Sequence, residues 1–170
     1  SLGAEHILAR QLRGTSCGIP CCAMVVARCQ GIKLEESILR GYSRLMNQGT
    51  GTDTDGYDAA EGTDIGNMAV MLRKLRVPAK KHTGGRAINN AQHASMSNPV
   101  IMLVNWDSDD GAGGGNGHFV VVDACDTNGN AIICDPWYGL IECNVGAGRY
   151  DADGNTADIS THWIFTDGTG

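Results

Sequence analysis

The stretch Ser16-Cys17-Gly18-Ile19-Pro20-Cys21-Cys22-Ala23-Met24-Val25-Val26-Ala27-Arg28-Cys29-Gln30-Gly31 decides the fold. Ser16 is a good N-cap, Pro20 is tolerated in a first turn, and Gly31 can take the left-handed conformation that stops a helix. A helix from Cys17 to Gln30 is therefore expected. Little polar surface interrupts Cys21 to Ala27 before Arg28, so this reads as the buried central helix of its half of the domain. Cys17 stands at its first position, where the helix terminus and a nearby histidine would favour the reactive thiolate. The other six cysteines lie inside the helix or in or next to strands. Gly18 leaves the backbone uncrowded, so the Cys17 amide could point at a developing oxyanion, and Gln11, six residues upstream, can supply a second donor.

Working outward, Leu34 to Met46 carries Leu34, Ile38, Tyr42 and Leu45 at helical spacing, with Glu35 and Glu36 at the electropositive end. A loop over 47–62 follows. Thr63 or Asp64 then caps a third helix with Ile65, Met68, Leu72 and Leu75 as its apolar stripe, ended before Pro78. A shorter helix is expected around Ala87 to Ser95. After Pro99 the character changes to short β-branched runs at Val100–Val104, His118–Ala124, Ala131–Cys134 and Trp163–Phe165. Asp126-Thr-Asn-Gly129 between two of them reads as a hairpin loop. Helices first and strands second predict one α+β domain over residues 1–170, with two halves meeting at a cleft.

His118 follows the glycine-rich run 111–117 and opens the apolar strand Phe119-Val-Val-Val-Asp123. A histidine there can face a cleft while its strand is held in the core. Asp135 closes the next strand of the expected hairpin, which brings it beside His118, where a carboxylate would fix the tautomer and stabilise imidazolium. Asp123 is the alternative orienting group, but it is five residues from His118 on one strand, and odd separations face opposite sides of a sheet.

Four segments resemble the papain-like cysteine peptidases, and in particular the C39 bacteriocin-processing group. They are Gln11-Leu-Arg-Gly-Thr-Ser-Cys17-Gly-Ile-Pro-Cys-Cys-Ala-Met24, Gly62 to Leu75, Gly117-His118-Phe-Val-Val-Val, and Asp135-Pro-Trp-Tyr-Gly139. The resemblance implies a papain-like fold, with a helical half whose central nucleophile helix packs on a C-terminal antiparallel sheet. It also implies Cys17 as nucleophile, His118 as base, Asp135 as the group orienting that base and Gln11 as oxyanion donor, with no cofactor. A protein or peptide substrate, cleaved after Gly-Gly, is the family's chemistry. Free-standing relatives of this kind act as delivered bacterial effector or toxin domains, and such a context implies a cognate immunity protein. The same triad chemistry, through a thioester, also serves deamidation, transglutamination and acyl transfer.

Composition narrows the field further. A net charge of −6 argues against a nucleic-acid partner, whose affinity comes from Lys and Arg displacing counterions. No apolar run is long enough to span a bilayer, and the opening residues lack a signal-peptide pattern, so the chain reads as a soluble domain cut from a longer protein, and the resemblance implies that this protein is delivered out of the producer to act in the target-cell cytoplasm. Seven cysteines, two of them adjacent and three at spacings of 4 and 8 on one helix, suit free thiols better than a disulfide framework. A zinc site drawn from Cys17, Cys21, Cys22, Cys134 and Cys143 is the main reading from another class, although there is no Cys-x-x-Cys knuckle. A purely binding relative is a further one. The Asp-Gly loops do not match a calcium loop, lacking an acid at the first position and a Glu at the twelfth. Trp137 is expected either to border the cleft or to pack in the core.

Overall fold

A computed structural model describes residues 18–35, 37–39, 65–107 and 117–169. Helix α1 spans Gly18–Gln30. Its stop is made by Gly31, at φ 68°, whose amide donates to the Ala27 carbonyl at 3.0 Å. Only glycine adopts that conformation without a steric penalty. Every residue from Gly18 to Ala27 is buried.

Burial continues one residue beyond the expected polar boundary. The Arg28 side chain is 1% exposed, and its Nε lies 2.6 Å from Asp123 Oδ1. Nη2 donates to Asp123 Oδ2 at 2.9 Å and contacts Cys134 Sγ at 3.3 Å, while Nη1 donates to the Met24 carbonyl at 3.1 Å. Arg28 is thus not the return of polar surface. It is a buried cation tying the helix to the sheet, and it can be buried because it is paired.

Of the expected helix over 34–46, residues 37–39 are described and helical. Leu39 is buried while Ile38 is 58% exposed, so the inward face runs through Leu39 and not through Ile38. Helix α2, Ile65–Lys74, buries Met68 and Leu72 of its predicted stripe. It ends four residues before Pro78, in a Schellman arrangement: Arg76 takes φ 67° and the Val77 amide donates to the Leu72 carbonyl at 2.9 Å. Helix α3 is a short Ala87–Ala91.

Among the described residues there are also seven antiparallel strands: β1 Lys80–Thr83, β2 Val100–Trp106, β3 Gly117–Cys125, β4 Asn130–Asp135, β5 Gly139–Asn144, β6 Arg149–Ala152 and β7 Asn155–Phe165. The sheet order is β1-β7-β2-β3-β4-β5, with β6 paired to β7. The β3–β4 hairpin turns where expected. Asp126 Oδ1 accepts from the amides of Asn128 and Asn130, both at 2.9 Å, and Gly129 takes φ 89°. Opposite the turn, its register shifts between Val122 and Ala124, leaving Asp123 as an extra residue.

Alternation along β3 separates two cores. Phe119 and Val121 pack with α1, α2 and Ile164, whereas Val120 and Val122 pack with Val104, Trp106, Tyr150 and Trp163 on the other face. The helical half therefore covers one face of the sheet, and the architecture is the papain-like α+β arrangement. Among the described residues, no helix is long and apolar enough to cross a membrane.

Candidate active site

His118 is fully buried at the start of β3, and its Nε2 lies 2.8 Å from Asp135 Oδ1 at the end of β4. With Nε2–H donating to the carboxylate, the neutral ring carries its lone pair on Nδ1, which is the nitrogen a nucleophile would use. Asp123 sits on the opposite face, engaged with Arg28. The structure thus brings His118 together with Asp135 and not with Asp123.

Asp135 is held by more than His118. Its Oδ1 also accepts from the amides of Trp137 at 2.7 Å and Tyr138 at 3.1 Å, and its Oδ2 accepts from the Tyr150 hydroxyl at 2.7 Å. Burial raises the carboxyl pKa, but the hydrogen bond and charge of His118, the Tyr150 hydroxyl and the Trp137 amide together outweigh it and hold the group below its ordinary value. The Trp106 ring stacks on His118 with centroids 5.3 Å apart, and Tyr138 and Tyr150 pack against Trp106 at 5.6 and 6.0 Å. An aromatic wall therefore fixes the imidazole plane from the face opposite the helices.

A group whose folded pKa is depressed stabilises the fold above its unfolded value, and that contribution is lost as pH falls through the folded value. The ion pair should therefore weaken below about pH 4, near the ordinary aspartate value. We expect thermal melts between pH 6 and pH 2.5 to show a steeper loss of stability for the parent protein than for Asp135→Asn. Parallel curves would mean that Asp135 is not ionised in the fold.

Cys17 and Gln11 lie outside the described residues. What is described is the helix that follows Cys17 in the chain. One turn into α1, the Cys21 thiol donates to the Phe119 carbonyl at 3.2 Å, so the first turn of the helix lies against the strand end that carries His118. The thiols of Cys22, Cys125 and Cys134 are held protonated. Burial pushes Cys22 up strongly, and burial with the nearby Asp123 and Asp126 charges raises Cys134 to about 12 and Cys125 to about 11 respectively. Among the described residues, no three His, Cys, Asp or Glu side chains converge as metal ligands. Cys134 and Cys21 are instead engaged with Arg28, Asp123 and the Phe119 carbonyl.

Trp137 is 46% exposed on the β4–β5 turn, with its amide turned in to Asp135, so it borders the site without belonging to the core. Tyr150 and Trp106 were not found by sequence reasoning. A signal for the first was present: Asp153-Gly154 takes φ 56° and 85°, the two-residue turn of a tight hairpin, with Tyr150 and Ala152 alternating inward before it.

No family model matches the sequence, and no curated protein matches it significantly. Solved structures do match the fold. A double glycine motif protease from an AMS/PCAT transporter, solved in complex with the leader peptide, superposes with a TM-score of 0.57 at 17% identity, covering 95% of this chain and 90% of that one. The peptidase domain of Streptococcus ComA, a bi-functional ABC transporter involved in a quorum sensing pathway, gives 0.53 at 18% identity over 95% and 97% of the two chains. A C39-like peptidase from Bacillus anthracis gives 0.62 at 18% identity over 95% and 94%. The chain has the fold of C39 peptidase domains.

Proposed function

We propose that the protein is a cysteine peptidase in which the Cys17 thiolate attacks a peptide carbonyl. The oxyanion is held by Gln11 and the Cys17 amide, His118 protonates the leaving amine, and water then hydrolyses the acyl-enzyme. The observation that carries this reading is the buried His118–Asp135 pair at 2.8 Å, set beside the first turn of the helix that Cys17 precedes. That arrangement leaves Nδ1 as the base and Asp135 as the stabiliser of imidazolium. The fold it shares with double-glycine peptidases supports a peptide substrate cleaved after Gly-Gly, since glycine enters a narrow cleft where a Cβ would clash. A delivered effector role with an immunity partner rests on the family resemblance.

Cys17→Ala should abolish cleavage while leaving the melting temperature of the protein unchanged. The check is a comparison of new N-termini in bacteria expressing the parent and the variant. Cleavage that persists in the variant would sink the proposal, and a gain of one mass unit in a target without fragments would instead establish deamidation.

A further inference from the structure

Asp135 has two oxygens with unequal surroundings. Oδ1 meets His118 and two backbone amides on its own turn, whereas the donor to Oδ2 among the described residues is Tyr150, which arrives from β6, fifteen positions along the chain. Three donors on Oδ1 leave the negative charge shared by Oδ2 without a partner of its own in a fully buried site. The Tyr150 hydroxyl supplies that partner and so stabilises the ionised carboxylate in the orientation that meets His118.

Tyr150 is built to be that donor. Its side chain is fully buried, and burial together with the neighbouring Asp135 charge raises its pKa so far that the phenol keeps its proton. The strand beneath it is stiff: β6 is hairpin-paired to β7, and Arg149 bridges Asp158 at 2.6 Å and also pairs with Asp107. The ring packs on Trp106, which itself stacks on His118, so hydroxyl and imidazole are set by one aromatic cluster. Among the described residues, the titratable groups facing this centre are His118 of β3, Tyr138 of the β4–β5 turn, Cys143 of β5 and Cys21 of α1.

We propose that Tyr150 is a positioning residue of this centre, its hydroxyl holding Asp135 ionised and oriented to His118 and so setting the acid limit of the reactive thiolate. The proposal rests on the Cys-His-Asp reading above. Its logic is that a hydrogen bond to the charged form of a carboxylate lowers its pKa, so losing that bond raises it. Once Asp135 protonates, His118 imidazolium loses the countercharge that holds it in place against the thiolate, and the thiolate takes a proton from solvent and becomes an unreactive thiol.

The test is the rate of Cys17 alkylation by iodoacetamide against pH, read by peptide mass on the full chain, which needs no substrate. Cys22, Cys125 and Cys134 stay protonated and serve as internal controls. Tyr150→Phe should move the acid limb up by roughly one pH unit, the scale of one charge-assisted hydrogen bond. In an Asp135→Asn background the same substitution should move nothing. A limb unchanged by Tyr150→Phe overturns the positioning role, and an equal shift in both backgrounds reduces it to packing. If the parent protein alkylates at Cys17 only as an ordinary thiol, near pH 8.5 and above, the peptidase reading fails and Tyr150's role with it. Should Tyr150→Phe not melt cooperatively, parent protein labelled with 3-fluorotyrosine, a stronger donor, should shift the limb downward, and no downward shift overturns the proposal.

Discussion

Replacing His118 by alanine should lower kcat/KM by about 10³-fold or more, the scale seen when a general base that also carries charge is removed from such a centre. The imidazole here is a fully buried ring bonded at 2.8 Å to a carboxylate and stacked on Trp106, so it has one orientation to offer. On the proposed Cys17 mechanism, its removal takes away both the acceptor for the thiol proton and the cation that balances the thiolate. The loss should therefore fall on kcat and on thiol reactivity together. Cys17 in His118→Ala should alkylate at pH 6 far more slowly than in the parent. Equal labelling rates would show that no such ion pair exists. Because Asp135 would be left buried without its charged partner, the measurement is best repeated in His118→Gln, which keeps a donor in the site.

The second large effect concerns stability rather than rate. Asp123→Ala should destabilise the protein by about 3–5 kcal/mol, since it strands the Arg28 guanidinium at 1% exposure with its paired charge removed. For a domain of this size that corresponds to a fall in Tm of roughly 10 °C or more. Activity per folded molecule should survive below the lower transition, because Asp123 faces α1 and not His118. The double replacement Arg28→Met with Asp123→Leu should recover most of the loss, as apolar pairs often match buried ion pairs. A single variant that melts with the parent would mean the pair is not buried in solution.

Much of this was legible in the sequence, for identifiable reasons. Helix α1 was readable because Gly31 stops it and its apolar run is unbroken. The strands β2, β3 and β4 were readable because both of their faces are buried, which writes continuous Val and Ile runs. The remaining strands were hidden by exposure. Strand β1 is Lys-Lys-His-Thr at a sheet edge, where lysine guards against aggregation and leaves no apolar signature. Strand β7 begins at Asn155, yet apart from the small Ala157 only its last three residues are apolar and buried, so the sequence pattern marks little more than Trp163–Phe165. The burial of Arg28 was not legible because its partner lies 95 residues away, and a charge at a helix end is ordinarily solvated. Tyr150 escaped because nothing in its own neighbourhood mentions Asp135.

The shifted register at Asp123 carries a consequence of counting. On the site's side of that residue, paired positions in β3 and β4 sum to 255, as in Val121 with Cys134; on the turn's side they sum to 256, as in Ala124 with Ile132. Side chains across a ladder share a face when their numbers differ from that sum by an even amount. His118 and Asp135 sum to 253, two short of the first value and three short of the second. With the hairpin's own arithmetic carried through, base and carboxylate would fall on opposite sides of the sheet. One unpaired residue reconciles them, so deletion of Asp123 would cost the site its dyad as well as its ion pair. Single-residue changes in either strand between turn and site are tolerable only when the other strand changes with it.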